Sequence, residues 1–119
     1  MATLPDDLAE KLPALALNDA AYLVLDYVGR QRWQTHRCER DGMDLLASAF
    51  PGVTRSEIET AYRAAAKLEG DHLKYFVPGP AGDYGQDLRL AADQAHAANP
   101  GFSEDTYFLV YASLATTMR

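Results

Sequence analysis

A single cysteine, Cys38, stands in 119 residues. No disulfide can form within the chain, and its cysteine usage does not point to an oxidising compartment. Valine and isoleucine are scarce while alanine is abundant, which disfavours strands and favours helices. Lysine and arginine total 11 against 17 acidic residues, a formal charge of −6. Broad binding to a phosphate backbone needs the opposite excess, although a local basic patch stays open. Long apolar runs are missing as well. The longest, AAYLVL at residues 20–25, falls far short of the roughly 18 to 20 residues that cross a bilayer. The N-terminal segment carries acids where a signal peptide carries positive charge. These absences lead to the expectation of a soluble, cytoplasmic protein with no membrane partner.

What is present is a succession of helix signals. No repeat, low-complexity tract or linker interrupts them, and the length suits a single helical domain over residues 1–119. Pro5 with Asp6 and Asp7 suits the first turn of a short helix that Pro13 limits. Asn18 is placed to cap a second helix running to about Arg37. MDLLASAF (43–50) reads as a brief third helix opened by Asp41 or Gly42 and stopped by Pro51-Gly52. Thr54-x-x-Glu57 is a capping box for the longest helix, to about Val77. PGPAGDYG (78–85) is a turn-rich loop, and a fifth helix runs from about Asp83 to Ala98 and stops at Asn99-Pro100-Gly101. Ser103 caps the last. The expected fold class is all-α, a compact bundle of five to six mostly antiparallel helices.

Two segments, 19–28 and 106–118, are apolar nearly all round and need cover on more than one side. For the second, the stripe Tyr107, Tyr111, Leu114 and Met118 is a candidate self-association surface, with a homodimer as the partner arrangement. GRQRWQTHRCER (29–40) holds the only Trp, the only Cys and four arginines. His36 and Cys38 are two apart and point nearly opposite ways on a helix, which works against a nucleophile pair. Trp33 with Arg30 and Arg37 is the better candidate, as a protein-docking spot.

EGDH (69–72) and DQAH (93–96) each set a carboxylate and a histidine three apart. Paired on two helices, such motifs hold di-metal centres. On the helical wheel, Ile58, Tyr62, Ala65, Leu73 and Phe76 define the apolar face of the long helix, with Glu69 and His72 inside it. In the fifth helix Asp93 falls opposite the apolar face and His96 on its flank. Only the first pair points inward, so neither a metal nor another cofactor is expected. His72, oriented by Glu69, remains the candidate acid–base unit.

Residues 43–66 also have the outline of a helix-turn-helix, whose reading face would carry Arg55, Ser56, Glu59, Thr60 and Arg63. Within the same stretch, FPGVTRSEIETAY is similar to ubiquitin-binding CUE domains in Phe50-Pro51 followed by an amphipathic helix. It departs from them at DHLKYFV, where they carry a Leu-Leu pair. TRSEIETAYR resembles the second helix of J-domain co-chaperones but is not followed by their His-Pro-Asp. Both likenesses reduce to a capping box and an apolar stripe, so no family follows from them. The leading expectation is a small non-enzymatic regulatory or interaction protein acting through a helical surface and self-associating. A DNA-binding regulator is second, and an enzyme or ligand binder using His72 and Glu69 is third.

Overall fold

A computed structural model describes residues 5–35, 39–76 and 84–117, without the side chains of residues 29–35, 39–40, 73, 84 and 114–117. The protein is all-α. Six helices occur among the described residues, which contain no strand: α1 (Asp6–Lys11), α2 (Leu17–Thr35), α3 (Glu39–Ala49), α4 (Arg55–Tyr75), α5 (Tyr84–Ala98) and α6 (Glu104–Thr117). Pro13 has the expected effect. α1 ends there in a 3-10 turn, Leu12–Ala14.

The capping signals act where the sequence places them. Thr54 Oγ1 accepts from the Glu57 amide at 3.2 Å at the start of α4. Ser103 Oγ accepts from the Thr106 amide at 3.3 Å at the start of α6. Each satisfies a backbone donor that the helix itself cannot. Two starts differ from expectation. α2 begins at Leu17 rather than after Asn18, and the Ala20 amide bonds the Ala16 carbonyl at 3.0 Å. α3 begins at Glu39, so Gly42 lies inside the helix. There Gly42 is buried, and the Tyr62 phenol occupies the space that a Cβ would need.

Contacts cluster into two units, residues 1–65 and 66–119, which divide within α4. In the first, α2 packs on α3, and the core collects Leu12, Tyr22, Val24, Leu46, Ile58 and Tyr62. In the second, α5 packs on α6. Its interior holds Leu68 and His72 of α4, Leu88, Ala91 and Ala95 of α5, and Val110 of α6. Alanines on α5 leave little side chain between backbones, so large groups come from the neighbouring helices.

The buried face of α4 turns along its length. Up to Ala65 the buried positions are Ile58, Ala61, Tyr62 and Ala65; beyond it they are Leu68, Asp71 and His72. At 100° per residue, the centre of the buried arc moves by about a quarter turn. Glu69, expected to share the inward face with His72, is exposed for this reason, and Asp71 is buried instead. A single apolar stripe drawn along the whole helix misses this turn.

No helix among the described residues is long and apolar enough to cross a membrane.

Candidate functional site

The second unit brings two imidazoles together. His72 of α4 has no exposed surface. Its Nδ1 lies 2.9 Å from the Leu68 carbonyl oxygen, one helical turn back. A carbonyl can only accept, so Nδ1 carries the proton. Its Nε2 lies 3.1 Å from Nε2 of His96 on α5.

Burial lowers the His72 pKa, against the raising effects of the Leu68 hydrogen bond and the Asp71 charge. A neutral His72 with its proton on Nδ1 presents a bare Nε2. His96 must then donate from its own Nε2–H. Burial also lowers the His96 pKa, helped by His72 and opposed by Asp93. Neutral His96 is therefore left with a bare Nδ1. That nitrogen forms no hydrogen bond among the described residues. The buried histidine thus fixes both the orientation and the tautomer of the half-buried one, as a backing hydrogen bond does in other imidazole sites.

A second polar arrangement holds the end of α5. Asn99, 5% exposed, donates from Nδ2 to Asp71 Oδ2 and to the Ala95 carbonyl, both at 2.8 Å. Its Oδ1 accepts from Lys67 Nζ at 3.1 Å, and Lys67 also meets Asp71 at 2.8 Å. The lysine and Asn99 hydrogen bonds hold the Asp71 carboxyl below its ordinary range, against the opposing effect of burial. The Tyr107 hydroxyl of α6 donates to the Asn99 carbonyl at 2.7 Å. Gly101 follows with φ 102°, in the left-handed region that glycine enters without steric cost, and the chain turns into α6.

These anchors position a hollow of about 430 Å³ on the α5–α6 surface. α5 supplies Arg89, Ala92, Asp93 and His96; α6 supplies Glu104, Tyr107, Phe108 and Tyr111. Each set has the spacing i, i+3, i+4, i+7, a single helical stripe. One wall is polar and the other mostly aromatic. The Tyr107 ring stacks on His96 at 4.2 Å with 27° between planes. Phe102 meets Tyr107 edge-on at 5.9 Å. The volume lies within the range of small-molecule sites.

The residues singled out in the sequence distribute as follows. His72 and His96 converge, whereas Glu69 is exposed and Asp93 faces the hollow. Among the described residues no group of three or more His, Cys, Asp or Glu could hold a metal ion. Tyr107 and Tyr111 are half-buried and line the hollow. The rest of their expected stripe, the Leu114 side chain and Met118, lies outside the described residues, as do the side chains of Arg30 and Trp33 and all of Arg37. On the outlined helix-turn-helix face, Arg55 is engaged by Asp44 at 2.8 Å and by Glu59 at 3.7 Å.

Sequence reasoning did not single out Arg89, Glu104 or Phe108. The signal that could have found them is the matched spacing of R-x-x-A-D-x-x-H (89–96) and E-x-x-Y-F-x-x-Y (104–111) on consecutive helices. No protein-family model matches this chain, and no curated protein or solved structure is found to be similar to it.

Proposed function

We propose that this protein is a small non-catalytic binding protein whose working surface is the α5–α6 hollow. One observation carries the reading: an aromatic stripe and a polar stripe of identical spacing face one concavity. An imidazole whose tautomer is set from behind belongs to the same wall. Concave sites with aromatic lining and a few convergent polar groups are where small ligands bind. The DNA-reading alternative draws less support, because Arg55 is already neutralised by two carboxylates.

The test is a fragment screen read by two-dimensional amide NMR. Shifts clustered at residues 89–96 and 104–111 are expected. A screen whose hits map elsewhere on the chain, or nowhere, contradicts the reading.

A specific observation favours a second reading, self-association. Phe108 is 66% exposed and Leu109 41% exposed on α6, with Leu90 55% exposed on α5. Singly exposed apolar residues are ordinary, but three large ones on two adjacent helices form a candidate contact. If copies associate through them, replacing both Phe108 and Leu109 by Lys converts a dimer to a monomer in analytical ultracentrifugation. A wild-type chain that sediments as a monomer at high concentration rules the contact out.

A further inference from the structure

We infer that the hollow takes a small organic ammonium ion. The inference rests on the binding reading above and deepens it by naming the ligand chemistry.

The first support is the balance of hydrogen-bonding groups. Asp93 and Glu104 bring two carboxylates to the lining, and among the described residues neither is in an ion pair. His96 adds an imidazole whose free nitrogen, Nδ1, can only accept while the pair with His72 is neutral. The Tyr107 hydroxyl already spends its proton on the Asn99 carbonyl, so its oxygen is available as an acceptor. Among the described residues Arg89 is the only cation in the lining. Acceptors therefore dominate, and the lining carries one net negative charge. A ligand rich in N–H donors and positive charge complements it; a carboxylate or phosphate does not.

The second support is the aromatic wall. Tyr107, Phe108 and Tyr111 present three rings to one hollow. The negative faces of such rings attract cations, and clusters of them are a recurrent way to hold alkylammonium groups. The wall is rigid where it matters: Tyr107 is stacked on His96, meets Phe102 in an edge arrangement and is tied at its hydroxyl to the Asn99 carbonyl. A ring held by three neighbours needs little reordering when a ligand arrives.

The third support is the field of the whole chain. A net charge of −6 raises the local concentration of cations and lowers that of anions.

The test uses three probes with one carbon skeleton: 3-methylbutylammonium, 3-methylbutan-1-ol and 3-methylbutanoate, titrated at matched ionic strength and neutral pH. Amide NMR gives both the affinity and the place of binding. The ammonium should bind about tenfold more tightly than the alcohol, the increment of one charge-assisted hydrogen bond, with shifts confined to 89–96 and 104–111. The carboxylate should bind least. In Asp93→Asn/Glu104→Gln, both exposed positions, the ammonium should lose about tenfold more affinity than the alcohol. If alcohol and ammonium bind equally at these residues, the ammonium inference is overturned and the hollow remains a binding site. If the carboxylate binds best, Arg89 dominates and the inference is again overturned. If none of the three moves residues 89–96 or 104–111, the binding reading itself loses its support.

Discussion

Single residues carry the polar chemistry of the second unit, and their protonation ties stability to pH. His72 and His96 both have pKa values lowered below the ordinary 6.5, chiefly by burial. A lowered folded-state pKa means that the unfolded chain takes up protons first as the pH falls. Stability is then full above the unfolded value and is lost as the pH drops toward the folded ones. The melting temperature is expected to hold above about pH 7 and to decline as the pH falls below about 6.5. His96→Gln should make that decline shallower, since one of the two groups no longer titrates. Asp71 is also lowered, from 3.8, so its contribution is lost only at still lower pH. A melting temperature that stays flat from about pH 7.5 to pH 5 would contradict the buried neutral pair. Asn99 offers a second residue-scale check. Asn99→Ala removes two donors to buried acceptors and one acceptor for Lys67. Chemical denaturation should show a loss of about 1–3 kcal/mol. In the sequence Asn99 was legible only as a helix stop, because its charged partners, Asp71 and Lys67, lie 28 and 32 positions away.

At the scale of elements, most of the fold could be read from the chain. Thr54, Ser103 and Pro13 act through neighbours within a few positions, so their effects are local and the sequence shows them. The start of α3 was misplaced because Gly42, a residue that ordinarily weakens helices, is held inside one by its fit against Tyr62. The face of α4 was misread beyond Ala65 because a wheel assumes one environment per helix. Glu69 followed the extrapolated stripe and is exposed, whereas His72 lies close enough to the turned arc to stay buried. Two glycines test this picture with opposite signs. A Cβ at Gly42 meets the Tyr62 ring, while a Cβ at Gly70 meets nothing within 4 Å. Gly42→Ala should lower stability by about 1–3 kcal/mol through overpacking. Gly70→Ala, in the interior of α4, should raise it by up to about 1 kcal/mol through helix propensity and reduced unfolded-state entropy. Equal effects at the two sites in thermal denaturation would contradict the placement of both helices.

For the molecule as a whole, composition set the class and left the site to geometry. Scarce β-branched residues and a run of caps are sufficient for an all-α chain. The imidazole pair required α4 and α5 of the second unit to bring positions 72 and 96 together, which no local pattern encodes. Tyr107 and Tyr111 were visible as one stripe, but read toward Leu114 and Met118 they suggested a dimer seam. Read toward Glu104, and matched to Arg89–His96, the same residues line a hollow. The hollow arises because α5 packs beside α6, a pairing that the stripe alone does not encode.

The most direct measurement of the central claim, that His72 and His96 meet as one neutral hydrogen-bonded unit, is a long-range ¹H–¹⁵N spectrum of the imidazoles near neutral pH. It should show His72 with its proton on Nδ1 and His96 with its proton on Nε2, both resisting protonation below the ordinary pH and shifting together when the pair takes up a proton. A His72 protonated on Nε2 alone, or two rings titrating independently near 6.5, would contradict it.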